Sequence, residues 1–173
     1  MRIRPATTGD CAALVALWNP QIRNTSVTFT TEEKSVAGLA ADIAERAAAG
    51  QAFLVAEENG VLLGLATYFQ FRRGPGYRHT MEHTVILSPG ARGRGVGRAL
   101  MTALENHAAR AGVHSLIAGV SSENPGGVAF HERLGYRRVA VLPEVGFKFG
   151  RWMDLIVLQK LLRARPDNLS QSR

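Results

Sequence analysis

Residues 92–97 read Arg92-Gly93-Arg94-Gly95-Val96-Gly97, set between the apolar run Val85-Ile86-Leu87 and a segment with helical periodicity. The layout is strand, glycine-rich turn, helix start. The first N–H groups of a helix have no partners inside it, and they lie at the positive end of the helix dipole. Glycine lets the chain bend sharply and lets an anion approach the main chain closely. The turn is therefore suited to an anionic group such as a pyrophosphate. Two common phosphate motifs fit badly. A P-loop closes with Gly-Lys-Ser/Thr, whereas Gly97 is followed by Arg98-Ala99. The dinucleotide fingerprint needs an acidic residue after the next strand, and that strand ends here in Gly119-Val120-Ser121.

The rest of the composition narrows the class. The 173 residues suit one domain, expected over 1–162, with a polar tail at 163–173. With 46% hydrophobic and 20% charged residues the chain reads as globular. It has no apolar run of about 18 residues, so no membrane span is expected. No apolar segment follows Met1-Arg2-Ile3-Arg4-Pro5, so no signal peptide is expected and a cytoplasmic location is. A single cysteine, Cys11, excludes an internal disulfide and falls on an apolar helix stripe, which argues burial over catalysis. The net charge of +7 comes from 18 arginines against 3 lysines. These are scattered and not interleaved with aromatics, which argues against nucleic acid. A multiply phosphorylated cofactor accounts for part of the excess and ordinary solvated surface for the rest.

Ile3 opens a short strand, and Thr8-Gly9-Asp10 can cap a helix carrying Cys11, Leu14, Val15 and Trp18 on one face. Residues 19–29 lack a period and read as a loop over a pocket. Thr30 with Glu33 makes a capping box for a second helix through Val36, Leu39, Ile43 and Ala47, ending at Gly50. Residues 53–57 and 62–71 read as strands joined by Asn59-Gly60, a hairpin signal. A basic loop at 72–78 precedes a strand at 80–87. The helix after the glycine turn ends at Gly112, and 115–120 is a buried-type strand. Asn124-Pro125 supplies an N-cap and a first-turn proline for a short helix ending at Gly135. Two last strands fall near 137–142 and 152–160. The order β-α-α-β-β-β-α-β-α-β-β makes an α/β sheet with helices on both faces.

An R-x-x-G-x-G turn after a strand resembles the acetyl-CoA pyrophosphate loop of the GCN5-related N-acetyltransferase (GNAT) superfamily. The resemblance sharpens to the phosphinothricin and methionine sulfoximine acetyltransferase group on four further stretches. These are Asn24-Thr25-Ser26-Val27-Thr28-Phe29, Tyr77-Arg78-His79-Thr80-Met81-Glu82-His83-Thr84-Val85, Phe130-His131-Glu132-Arg133-Leu134-Gly135-Tyr136 and residues 146–155, Gly-Phe-Lys-Phe-Gly-Arg-Trp-Met-Asp-Leu. They come in the right order over nearly the whole chain. The resemblance implies a GNAT fold, with a mixed, mostly antiparallel central sheet of about seven strands flanked by helices on both faces. It also implies acetyl-CoA as cosubstrate and a homodimer; His79, His83, His107 and His114 have no metal-ligand spacing, so no metal is expected.

Acetyl transfer to an amine asks for a neutral nucleophile, although amines are mostly protonated near neutral pH. It needs a base for the amine proton and donors for the thioester oxygen as it gains charge. Glu82 sits mid-strand, sharing one face with Thr84 and Ile86, while His83, Val85 and Leu87 share the other. The resemblance makes Glu82 the base, acting directly or through water; a solvent-facing strand glutamate is the plain alternative. His131 matches a position that serves the leaving thiolate, and could donate to the sulfur or orient the amine. The backbone of Val85, Ile86 and Leu87 is implied to pair with pantetheine, and Arg92, Gly93, Arg94, Gly95, Val96 and Gly97 to hold the phosphates. Arg98 is either a further phosphate contact or a solvated helix residue. Asn124 caps its helix and by resemblance reaches CoA. Phe29, Arg72, Tyr77 and Lys148 are candidates for the acceptor pocket, where arginine suits a carboxylate or phosphinate. The loop Arg72-Arg73-Gly74-Pro75-Gly76 departs from the group's pattern and leaves acceptor specificity open.

The expected activity is direct acetyl transfer to the α-amine of a small amino acid or analogue, of the phosphinothricin, methionine sulfoximine or methionine sulfone type. The alternatives are acetylation of a protein N-terminus or another small amine, and a non-catalytic acetyl-CoA-binding module. The pair Glu82 and His131 argues against the last.

Overall fold

The computed structural model describes residues 1–162; the tail expected at 163–173 lies outside the described residues. Seven strands form one sheet: β1 (Arg2–Pro5), β2 (Phe53–Glu58), β3 (Val61–Gln70), β4 (Thr80–Leu87), β5 (Ser115–Ser121), β6 (Arg137–Lys148) and β7 (Arg151–Leu161). Their order is β1-β2-β3-β4-β5-β7-β6. Every neighbouring pair is antiparallel except β4 and β5. This is the mixed, mostly antiparallel sheet that the resemblance implied.

Helices cover both faces because the strands alternate two apolar sets. Phe53, Val55 and Leu65 pack with Leu14, Trp18 and Ile22 of α1 (Cys11–Asn24) and Leu39 of α2 (Val36–Ala48). Leu54, Ala56, Ala66 and Tyr68 pack with Leu100, Met101 and Leu104 of α3 (Val96–Arg110), and Val128 of α4 (Pro125–Arg133) joins the same cluster. Glu57 pairs with Leu62 and Ala56 with Gly64, so Leu63 is an extra residue in β3. This bulge brings Leu63 to the α3 side while Leu62 and Leu65 face α1. At the hairpin, Asn59 and Gly60 both take positive φ, 52° and 79°, as the tight turn requires.

Three details differ from the sequence reading. Residues 19–24 continue α1 instead of forming a loop. Ile22 extends the buried i, i+4 stripe of Leu14 and Trp18, and this burial offsets the hydrogen bond that Pro20 cannot donate. The Thr30–Glu33 capping box is not formed. The Thr30 hydroxyl accepts from the Glu32 N–H (3.2 Å), and α2 is capped by Ser35, whose hydroxyl accepts from the Gly38 N–H (3.0 Å). Finally, β6 runs past Leu142 to Lys148. Its register shift between Leu142 and Gly146 absorbs Pro143 and Glu144, and the Glu144 N–H donates to Asp154 (2.9 Å). Among the described residues no helix is long and apolar enough to cross a membrane.

Candidate active site

The two parallel strands at the middle of the sheet stay together only briefly. Thr80, Met81 and Glu82 of β4 pair with Ser115, Leu116 and Ile117 of β5, and beyond them no pairing is made. The edge of β4 from His83 to Leu87 therefore faces a gap in the sheet. Two clefts occupy this gap. The first, about 590 Å³, runs along Val85, Ile86 and Leu87 to the glycine turn and to α4. The second, about 490 Å³, lies between β4, β5 and the segment 27–30. They share Val27, Val85, Ile86, Asn124 and His131, so they meet at the middle of β4.

The glycine turn opens the first cleft for an anion. Gly93 and Gly95 take φ of 76° and 79°, and a Cβ on either would meet nothing within 4 Å. Gly95 stands at the N-cap of α3. Gly97 serves close packing: a Cβ there would lie 3.1 Å from Leu87 Cδ1 and from the Phe130 ring. Arg92, Gly93, Gly95, Val96, Gly97 and Arg98 line the cleft. Arg94 does not, because its guanidinium is engaged by the Glu58 carboxylate. Asn124 caps α4, accepting from the Gly127 N–H (2.9 Å), while also lining both clefts. The open strand edge, the unfilled glycine turn and the start of α3 suit an extended, amide-bearing, phosphorylated thioester such as acetyl-CoA.

Glu82 faces the second cleft. Its carboxylate lies over Gly119 of β5, where a Cβ would stand 3.4 Å from Oε1. Burial pushes its carboxyl pKa up, as suits a base working near neutral pH. Opposite, two buried histidines meet. His131 Nδ1 is 2.7 Å from the Gly127 carbonyl, and His131 Nε2 is 3.0 Å from His83 Nε2. A carbonyl only accepts, so we assign the proton to Nδ1 of His131, which makes its Nε2 the acceptor for the His83 Nε2–H. Both nitrogens of neutral His131 are then engaged. Burial and the neighbouring His131 hold His83 down to about 3, and burial lowers His131 as well.

Of the acceptor candidates only Phe29 lines the second cleft; it lies against Gly146 of β6, where any side chain would strike its ring. Arg72, Tyr77 and Lys148 do not line it. Arg72 is exposed beside Phe71, and Tyr77 is exposed on the 3-10 turn Pro75–Tyr77. Lys148 is buried, with Nζ donating to the carbonyls of Thr25 (2.8 Å) and Thr28 (2.9 Å). Its place is beneath the segment that roofs the cleft. Sequence reasoning missed Trp18 and Lys34 on the acceptor side, Arg133 on the cofactor side, and the His83–His131 contact. Arg133 stands at i+3 from Phe130, a helical spacing that carried the signal; nothing local signalled the others. Among the described residues no cluster of three or more His, Cys, Asp or Glu is placed to hold a metal ion.

The profile of the family described as "Acetyltransferase (GNAT) family" matches residues 16–136. The chain is 38% identical to an L-amino acid N-acyltransferase, MnaT, of Escherichia coli, over 96% of this chain and 98% of that one. It is 37% identical to an L-methionine sulfoximine/L-methionine sulfone acetyltransferase of Salmonella typhimurium, over 96% and 99%. Among solved structures it resembles a GNAT superfamily phosphinothricin acetyltransferase from Sinorhizobium meliloti in complex with AcCoA, at TM-score 0.88 and 30% identity, over 93% of this chain and 88% of that chain.

Proposed function

The chain belongs to the GNAT acetyltransferase family, and from that premise we propose that it acetylates the α-amine of a free amino acid or analogue of the methionine sulfoximine, methionine sulfone or phosphinothricin type. It is an acyltransferase that uses acetyl-CoA, which when bound supplies an activated acetyl thioester. The observation that carries the reading is the continuity of the two clefts, with the glycine turn at one end and Glu82 at the other.

In this reading the chain's own groups divide the work. Main-chain N–H groups of the glycine turn and the first turn of α3 hold the phosphates, with Arg92 and Arg98 beside them. The unpaired edge of β4 at Val85–Leu87 offers backbone amides to the pantetheine arm, and Asn124 stands at the junction. Glu82 takes the proton of the incoming amine. Its buried setting disfavours the charged carboxylate and so strengthens it as a base. With both ring nitrogens engaged, neutral His131 has no N–H free for the sulfur, and its ring shapes the junction of the two clefts. The buried Cys11 belongs to the α1 core cluster and offers no covalent intermediate, so transfer is direct.

The test is a release assay for the CoA thiol with a panel of acceptors. Turnover of methionine sulfone, methionine sulfoximine or phosphinothricin well above that of polyamines and N-terminal peptides is expected. Preference for a polyamine or peptide, or turnover of no amine, overturns the reading.

The proposal extends to a homodimer through the late strands. Edge strand β6 leaves Val139, Val141 and Phe147 exposed, and the Phe147 ring lies tilted against exposed Trp152, 4.9 Å between centroids. Exposed large apolar side chains on a sheet edge suit an interaction surface. Sedimentation should show a dimer that Phe147→Glu dissociates; a fully active wild-type monomer at micromolar concentration contradicts it.

A further inference from the structure

We infer that Lys34 holds the α-carboxylate of the acceptor and thereby selects free amino acids; this rests on the amino-acid reading above. A free amino acid brings one ammonium and one carboxylate into the cleft. Taking a carboxylate out of water is costly unless an opposite charge receives it. Among the described residues that line the acceptor cleft, Glu82 is the single anion and Lys34 the single cation. The cationic candidates named from sequence, Arg72 and Lys148, lie outside it, and the arginines Arg92, Arg98 and Arg133 line the other cleft.

Lys34 is held for such a role. Its backbone is fixed at both polar groups by the Asn19 side chain: the Lys34 N–H donates to Asn19 Oδ1 (2.9 Å), and Asn19 Nδ2 donates to the Lys34 carbonyl (3.0 Å). The side chain lies over Trp18, with Nζ 5.1 Å from the ring centroid. Trp18 itself lines the cleft. Among the described residues the ammonium makes one loose ion pair, 3.5 Å to Asp42, and the side chain remains about a third exposed. Helix α2 gives no reason for a lysine here, since a cation just before the Ser35 N-cap opposes the helix dipole. Glu82 and Lys34 thus present one charge of each sign to a zwitterion, the carboxylate serving the amine that reacts and the ammonium the group that does not.

The experiment compares L-methionine sulfone with its carboxamide, using wild type, Lys34→Met and Lys34→Arg. Wild type should favour the acid. Lys34→Met should lower kcat/KM for the acid by about 10- to 100-fold, the range for losing a hydrogen bond to a charged group. The loss should appear in KM, with the carboxamide and the KM for acetyl-CoA little changed, and Lys34→Arg should restore most of it. Equal wild-type use of acid and carboxamide overturns the inference alone. So does a Lys34→Met variant that loses both equally or neither. If wild type acetylates no amino acid at all, the amino-acid reading falls and this inference with it.

Discussion

Gly95→Val separates the two tasks that the glycine turn performs. Gly95 holds φ of 79° at the N-cap of α3, where an added Cβ meets no protein atom within 4 Å. Within the protein the penalty is conformational; toward the phosphate it is also steric, because the side chain stands where the anion approaches the main chain. An L-residue held in the left-handed region costs about 1–2 kcal/mol. The protein has two ways to carry that cost. If the turn keeps its shape, the strain appears as lost stability, a fall in Tm of about 2–8 °C for a chain of this size. If the turn relaxes, stability is spared but the main-chain N–H groups turn away from the phosphates. Each hydrogen bond to a charged group contributes about 1.5–3 kcal/mol, so loss of one weakens CoA binding by about 10- to 100-fold. Titration calorimetry with CoA, beside thermal unfolding, reads both. Gly95→Asn, which tolerates positive φ better, should fall between wild type and Gly95→Val. A folded Gly95→Val protein with wild-type Tm and wild-type CoA affinity refutes the reasoning.

Lys148→Met should raise KM for the acceptor more than KM for acetyl-CoA and lower Tm, because it frees the Thr25 and Thr28 carbonyls that fix the roof of the acceptor cleft; unchanged acceptor KM contradicts that role. The buried His83, held at about 3 against an ordinary 6.5, makes stability depend on pH. Between those values the unfolded chain binds the extra proton, so stability is full above about 6.5 and is lost as pH falls. Thermal unfolding should show this decline, and His83→Leu should flatten it; an equal decline in the variant contradicts the assignment.

How much of this was legible in the sequence depends on how local the signals were. Strand β4 and the turn at Asn59-Gly60 fall where alternation and turn chemistry put them, because both act within a few residues. The glycine turn was legible for the same reason. The ends of α1 and β6 were misread because tertiary packing set them, through burial of Ile22 in α1 and a register shift in β6. Alternation put Glu82 on one face with Thr84 and Ile86 but left that face open between solvent and cleft; the resemblance singled out Glu82 and Phe29, and both line the acceptor cleft. Lys34 and Lys148 went the other way. A lysine's reach depends on which backbone it lies beside, and the contacts of Lys34 with Trp18 and of Lys148 with Thr25 and Thr28 arise only when α1, α2 and β6 converge. Arg94 looked equivalent to Arg92 until β2 brought Glu58 to it.

The claim that Glu82 is the base for acetyl transfer is tested most directly by the pH dependence of Glu82→Gln. Glutamine keeps the shape and removes the proton acceptor. In wild type, kcat/KM should rise with pH through an acid limb set above the usual carboxylate range, since the base must be deprotonated and burial raises its pKa. In Glu82→Gln, kcat should fall by about 10²- to 10⁴-fold at neutral pH, with acetyl-CoA affinity near wild type. The acid limb should vanish, and the deficit should shrink at high pH, where the acceptor amine is already neutral. A Glu82→Gln enzyme that turns over at the wild-type rate at neutral pH contradicts the account.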